Sequence, residues 1–126
     1  MSLIPDAFSQ SYAEARAKFL GTCEALGLDV EHHIHPLLGR DGETLSMDVV
    51  RQGPRDAKRL LILSSACHGV EGFAGSGIQI ALLNDARWRD AVEASEVAVL
   101  YIHALNPYGF SWWRRVTQEN VDLNRN

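Results

Sequence analysis

The sequence is poor in the features that mark secreted, membrane-spanning and nucleic-acid-binding proteins. Only two of its 126 residues are cysteine, too few for a disulfide framework, which fits a reducing compartment. No stretch approaches the roughly 18 apolar residues that span a bilayer, and the N-terminus lacks the basic start and apolar run of a signal peptide. A net charge of −4 argues against a phosphate-binding surface. We therefore expect a cytoplasmic protein that binds neither nucleic acid nor a membrane.

The hydrophobic pattern predicts one α/β domain. With 46% hydrophobic residues, the chain can form one core and is too short for two. Periodicity predicts a helix over 8–26, an antiparallel hairpin over 28–52, a strand and helix over 58–83, and a strand followed by a loop over 97–126. Strand, helix and strand in this order indicate a parallel crossover. The expected fold is a mixed, mostly parallel sheet flanked by helices.

Two apolar runs, 60–63 and 97–102, are typical of strands that are buried on both faces. The first run leads into His68-Gly69-Val70-Glu71. In the helix that follows, glycines at 72, 75 and 77 lower the helix propensity, so we expect a close approach of this helix to the sheet or to a bound group. On the same helix, Phe73, Gly77 or Ile78, Ile80 and Ala81 are the residues expected to face the sheet.

His68 and Glu71 are the candidate metal ligands. They follow the carboxyl end of a predicted strand, where open α/β sheets place their ligand sites. A spacing of three brings both side chains to one side of a helical turn, and an imidazole nitrogen with a carboxylate suits zinc. The pair alone is a weak signal, because a helix-start glutamate beside a capping histidine has the same spacing.

A second group of residues strengthens this prediction. Asn106-Pro107-Tyr108-Gly109 is followed by Trp112-Trp113-Arg114-Arg115 and by Val121-Asp122-Leu123-Asn124-Arg125-Asn126. Arginine near a metal can hold a substrate carboxylate or stabilise an oxyanion. Solvated surface charge is the alternative for the arginines, and simple packing is the alternative for both tryptophans.

These motifs resemble those of the zinc carboxypeptidase superfamily, in the same order and at similar separations. The similarity is closer to a bacterial branch of zinc-carboxypeptidase-like proteins and extends over nearly the whole chain. The segments that carry it are Phe8–Tyr12, His35–Gly42, His68–Phe73 and His103–Phe110. The resemblance implies the N-terminal part of a zinc-carboxypeptidase-like, or phosphorylase/hydrolase-like, fold, so that 1–126 form a single partial domain.

The resemblance also implies roles for individual residues. His68 and Glu71 are similar to the first two ligands of a single zinc ion. Arg115, or less closely Arg114, resembles the arginine that polarises the scissile carbonyl and holds the oxyanion. Asn124 and Arg125 resemble the pair that binds the free carboxylate of the substrate. Asp122 is expected to order its loop, and His103, which ends a neighbouring strand, is expected to line the site or contact substrate.

Two parts of the family's site are not matched in this sequence. The third zinc ligand, a histidine, and the general base, a glutamate, are expected beyond residue 126, because the remaining histidines, at 32, 33 and 35, lie in the predicted hairpin. Cys67 is expected to be a small buried residue and not a nucleophile paired with its neighbour His68, since adjacent residues of an extended segment point apart.

Three functions remain open at this stage. The first is a metallocarboxypeptidase-type hydrolase that acts on a peptide and is weakly active or inactive as this chain alone. The second is a zinc-dependent deacylase that acts on an N-acyl amino acid. The third is a non-catalytic domain that binds no metal and self-associates through an uncovered sheet edge.

Overall fold

The computed structural model describes residues 3–125, without the side chain of Leu3. It contains five α-helices and four strands. In chain order they are α1 (Leu3–Ala7), α2 (Tyr12–Ala25), β1 (Val30–Leu38), β2 (Thr44–Gln52), β3 (Arg59–Ser64), α3 (Gly72–Asn84), α4 (Ala86–Ala94), β4 (Val97–His103) and α5 (Pro107–Trp112), with a 3-10 turn at Gly69–Glu71 before α3. None of the helices in this range has the length and hydropathy needed to cross a membrane.

The sheet has the strand order β1-β2-β4-β3. β1 pairs antiparallel with β2, and β2 pairs antiparallel with β4. β3 and β4 are parallel, in register from Arg59 opposite Val97 to Ser64 opposite Ile102. The chain passes from β3 to β4 through α3 and α4. Because the two strands are parallel, their carboxyl ends lie side by side at the same end of the sheet. The predicted α/β fold, a mixed sheet flanked by helices, is confirmed. The expectation of a mostly parallel sheet is wrong for residues 3–125, because two of the three strand pairs are antiparallel.

The core lies on one face of the sheet. Residues that alternate along β2 and β4 point to this face and are fully buried, among them Val50, Val99 and Tyr101. α2 supplies Phe19 and Cys23 to the same cluster. The helix begins at the N-cap Ser11, which accepts a hydrogen bond from the amide of Glu14, and it ends before a glycine with positive φ at position 27.

β3 is an exposed edge strand of the sheet, which corrects the expectation that it is buried on both faces. Leu60, Leu61 and Ile62 are 53%, 40% and 55% exposed. β3 has only β4 as a neighbour within residues 3–125, and Leu60 and Ile62 lie in register on the face opposite to the helical core. An apolar run therefore predicted the strand correctly but not its surroundings.

A buried polar cluster joins α2 to the hairpin. The carboxylate of Asp48 is fully buried and accepts hydrogen bonds from Arg16 Nε at 2.8 Å, from Ser46 Oγ at 2.8 Å and from His32 Nδ1 at 2.6 Å. The hydroxyl of Tyr12 bonds to the backbone of Ser46. Burial is the main cause that raises the pKa of Tyr12 well above its ordinary value, so this hydroxyl stays protonated.

Both parallel strands leave the sheet through an alanine in the left-handed region. Ala66 has a φ of 58° and Ala104 a φ of 62°, values that cost free energy for any residue with a Cβ. Ser65 ties the two exits together, since its hydroxyl accepts from the amide of Ala104 and its carbonyl from the amide of Leu105. His68 lies two residues beyond the first of these alanines.

Candidate metal centre

His68 and Glu71 lie at the carboxyl end of β3, on the turn that leads into α3. Nδ1 of His68 is 3.2 Å from Oε1 of Glu71. The turn packs closely on α5, because a Cβ at Gly69 would collide with the backbone of Gly109. Its amides bond to the loop after α5, from Gly69 to the carbonyl of Arg115 and from Val70 to that of Arg114. The backbone therefore brings the two predicted ligands together.

Asp122 holds the other nitrogen of the His68 ring. Asp122 Oδ1 lies 3.0 Å from His68 Nε2. A carboxylate only accepts, so Nε2 donates this bond. When the ring is neutral, the Nδ1 lone pair faces the Glu71 carboxylate, and a cation between the two acceptors stabilises that arrangement. When the ring is protonated, it donates to both carboxylates instead.

The geometry of the pair fits two zinc ligands. Bonds of about 2.0–2.1 Å at a tetrahedral angle place two ligand atoms about 3.3 Å apart, close to the observed 3.2 Å. A carboxylate on the distal nitrogen is the usual second partner of a metal-bound histidine. No group of three or more His, Cys, Asp or Glu side chains within residues 3–125 is arranged to hold a metal ion. Residues 3–125 thus bring together the two predicted ligands and one carboxylate that is placed to orient the histidine.

Arg115 lies beside this pair, and Arg114 points elsewhere. Arg115 Nε donates to Asp122 Oδ2 at 3.0 Å, so a single carboxylate joins the arginine to His68. The guanidinium of Arg114 instead bonds to Asn120 and lies over the ring of Tyr108. Of the two arginines, only Arg115 is thus placed next to the predicted ligands.

The pKa of Asp122 is below its ordinary value. Desolvation alone would raise it, but hydrogen bonds from Arg115, from the amide of Asn124 and from His68 outweigh that effect. The carboxylate is therefore ionised at neutral pH and carries the negative charge that His68 and Arg115 share.

Asn124 and Arg125 follow Asp122 in a turn. The amide of Asn124 donates to Asp122 Oδ1 at 3.0 Å, and the amide of Arg125 donates to the backbone carbonyl of Asp122. Both side chains are exposed. Their backbone is therefore fixed by Asp122, while their side chains remain accessible to a ligand.

His103 does not line this site, and its burial corrects the expectation of contact with substrate. Its ring is fully buried, stacks on Phe19 at 4.4 Å between ring centroids and has a 2.8 Å hydrogen bond from Nε2 to Ser76 Oγ. Burial lowers its pKa to about 4, so the ring is neutral at pH 7. His103 is a component of the core.

The Asn-Pro-Tyr-Gly segment packs against the turn that carries His68 and Glu71. Asn106 caps α5 by accepting from the amide of Gly109 at 2.9 Å, and Pro107 occupies the first turn. A Cβ at Gly109 would lie 2.8 Å from the carbonyl oxygens of both Arg114 and Val116. Glycine thus lets the arginine loop fold back against α5.

The role of Asp122 was missed at the level of sequence. Its loop-ordering function was expected, but its contact with His68 spans 54 positions of the chain, and no local pattern reports such a contact. The available signal was chemical: a histidine ligand needs an acceptor on its distal nitrogen, and Asp122 is an acidic residue between the predicted Arg115 and Arg125.

A family model described as "Protein of unknown function (DUF2817)" matches residues 8–126. The chain belongs to this family. No curated protein matches the chain. Family membership thus gives the chain relatives but no established reaction.

Solved structures share the fold of this DUF2817 chain at low sequence identity. A candidate carboxypeptidase A from Shewanella denitrificans OS-217 superposes with a TM-score of 0.60 at 20% identity, over 87% of this chain and 30% of its own. A glutaminyl cyclase from Tannerella forsythia gives a TM-score of 0.50 at 16% identity, over 88% and 45%. A Zn-dependent exopeptidase from Parabacteroides distasonis ATCC 8503 gives 0.45 at 13% identity, over 76% and 39%. The chain therefore spans less than half the length of these proteins.

Proposed function

We propose that this protein is a zinc-dependent hydrolase of the metallocarboxypeptidase type, which cleaves an amide bond next to a free carboxylate. The observation that carries the proposal is the pair of His68 Nδ1 and Glu71 Oε1, 3.2 Å apart, with the distal ring nitrogen held by Asp122. His68 and Glu71 are the zinc ligands in this proposal. The fold shared with a candidate carboxypeptidase A is consistent with it.

The side chains around the pair divide the remaining work. A bound zinc ion supplies an acidified water and a polarised carbonyl. Arg115, beside His68 through Asp122, is the proposed stabiliser of the developing oxyanion. Asn124 and Arg125 are proposed to bind the substrate carboxylate through donors that are exposed in this structure.

Arg114 is the second choice for contact with substrate, because it would first have to leave Asn120. No residue within 3–125 is placed as a third ligand beside the pair. We therefore propose that zinc binds this chain weakly and that the chain has little or no activity by itself.

Zinc titration of isotope-labelled protein followed by NMR tests the ligand assignment. We expect saturable, one-to-one shifts centred on His68 and Glu71, lost in His68→Ala and in Glu71→Gln. His33→Ala is the matched control, since His33 is an exposed histidine of β1 whose Nε2 lies 3.2 Å from Glu31 Oε1. Equal responses of the His33 and His68 variants would overturn the assignment.

Assays with peptides and with N-acyl amino acids distinguish the proposed carboxypeptidase reaction from the deacylase reaction. Release of the C-terminal amino acid from a peptide, abolished when the peptide is amidated, supports the carboxypeptidase type. Cleavage of N-acyl amino acids without peptide cleavage supports the deacylase. The assay requires the intact protein with zinc and with chelator, and activity that survives chelation contradicts both reactions.

A further inference from the structure

The buried side of α3 is polar nearer to Glu71 and apolar further along the helix. Ser76 and Gln79 are buried nearer to Glu71, and Ile80 and Leu83 are buried further along the helix. Ser76 and Gln79 are only 1% and 3% exposed. Buried polar side chains require hydrogen-bond partners, and both of these find partners on the sheet.

Gln79 bridges the two parallel strands near their carboxyl ends. Its Nε2 donates to the carbonyl of Leu63 in β3 at 2.9 Å and to that of Ile102 in β4 at 3.1 Å. One helical turn earlier, Ser76 Oγ bonds to Nε2 of His103, the last residue of β4, at 2.8 Å. Three hydrogen bonds therefore attach α3 to fixed points on both strands.

Close packing makes these bonds geometrically demanding. A Cβ at Gly75 would lie 2.8 Å from Cβ of Ser65, so α3 approaches the chain just after β3 with no side chain between them. Apolar contacts are non-directional and would hold the helix against the sheet without fixing its rotation or its position along its axis. Hydrogen bonds to two strands fix both.

The position of α3 determines the position of Glu71. Glu71 immediately precedes α3, and Gln79 lies eight positions further on, or about 12 Å along the helix. A shift at Gln79 is therefore transmitted to the carboxylate. His68 follows the exit from β3, and the short turn joins it to Glu71 through the bond from the Glu71 amide to the His68 carbonyl. We propose that Gln79 and Ser76 are positioning residues, which hold α3 on β3 and β4 so that the Glu71 carboxylate stays opposite His68 Nδ1. The inference deepens the proposed zinc site and rests on it.

Gln79→Met tests this inference, because methionine keeps the length of the side chain and removes both donated bonds. Ser76→Ala removes the third bond and leaves the packing nearly unchanged. Ile80→Val is the matched control, because it trims a buried residue on the same face without removing a hydrogen bond. Urea unfolding of each variant separates loss of global stability from local effects.

Two measurements are needed, one without metal and one with it. The first is amide hydrogen exchange at Val70 and Glu71, whose amides bond to the carbonyls of Arg114 and His68. The second is zinc affinity. We expect Gln79→Met to accelerate exchange and to weaken zinc binding about 10-fold, with Ser76→Ala changing both in the same direction. After correction for stability, Ile80→Val should change neither.

Equal effects of Gln79→Met and Ile80→Val would overturn the inference, since both residues would then act only through stability. If Gln79→Met does not fold, Ser76→Ala against Ile80→Val gives the same comparison. If the unmodified protein shows no zinc response at His68 while the exchange contrast is present, the proposed function fails and the positioning of Glu71 stands.

Discussion

Arg16→Met tests the ion pair between Arg16 and the buried carboxylate of Asp48. The Asp48 carboxylate is fully buried, and Arg16 is the only arginine or lysine within residues 3–125 that pairs with it. Methionine retains an apolar stem of similar length, so the main change is loss of the guanidinium. An unpaired carboxylate then remains in the interior, where it is poorly solvated.

The expected cost follows from the geometry. Removing one partner of a buried ion pair costs about 3–5 kcal/mol. The Arg16 side chain is 20% exposed, and both His32 and Ser46 continue to donate to Asp48, which reduces the cost to about 2–3 kcal/mol. For a domain of this size, that loss lowers the unfolding midpoint by roughly 6–15 °C.

Urea unfolding followed by tryptophan fluorescence measures this loss. A double-mutant cycle with Asp48→Asn should give a coupling free energy of about 1–3 kcal/mol, because the two residues are in direct contact. A loss below about 1 kcal/mol for Arg16→Met, or free-energy changes that add without coupling, would refute the reasoning.

The same pair predicts a dependence on pH. Burial alone would raise the pKa of Asp48, but hydrogen bonds from Arg16, His32 and Ser46 outweigh it and lower the pKa below 3.8. The folded state therefore binds this proton less readily than the unfolded state. The stabilisation is fully present above the unfolded pKa and is lost as pH falls through the lower folded value. Without Arg16 the pKa of the buried Asp48 carboxyl is higher, so the variant takes up this proton at a higher pH than the unmodified protein does. The difference in free energy of unfolding between the two proteins should therefore narrow as pH falls from the variant's pKa towards the lower pKa of the unmodified protein.

Four further substitutions test other features. Asp122→Ala removes the acceptor from the distal nitrogen of His68 and should weaken zinc binding about 10- to 100-fold in competition with a chelating dye; unchanged affinity would contradict the orienting role. Gly72→Ala should destabilise by about 1–3 kcal/mol, because its Cβ would collide with an aromatic ring of α5. Gly21→Ala should stabilise the folded protein by about 0.5–1 kcal/mol, because Gly21 lies in α2 and no atom is within 4 Å of the added Cβ. Urea unfolding measures both glycine variants, and equal effects would refute the steric argument. Ile62→Lys should reduce self-association through the edge strand, where Ile62 is 55% exposed, as measured by sedimentation velocity; an unmodified protein that stays monomeric at every concentration rules this association out.

The fold could be predicted where a local pattern determines it. Alternation along β2, the Ser11 cap and the apolar runs of β3 and β4 specify helices and strands through near neighbours in the chain. The exposure of β3 could not be predicted, because an apolar run indicates a strand without indicating its neighbours. On α3, Ile78 is exposed while Gln79 and Ser76 are buried, since the close approach to the sheet leaves room there for small residues and for hydrogen bonds.

Part of the candidate site could likewise be predicted from the sequence, and part could not. His68 and Glu71 are three residues apart, so their proximity follows from a single turn. The choice of Arg115 over Arg114 and the contact of Asp122 with His68 depend on how the loop after α5 folds back, which no local spacing determines. His103 ends a strand, but the side of the sheet that its ring occupies depends on the register with β2.

The left-handed alanines at the two strand exits limit how this region can change in evolution. Ala66 and Ala104 pack in one cluster with Phe110, so a longer side chain meets occupied space, and a β-branched one also adds strain at positive φ. Glycine relieves the backbone but leaves a cavity where a methyl group was. Substitutions near His68 are thus more readily accepted on the exposed loop after α5 than at the ends of the strands, and new specificities would arise from that loop.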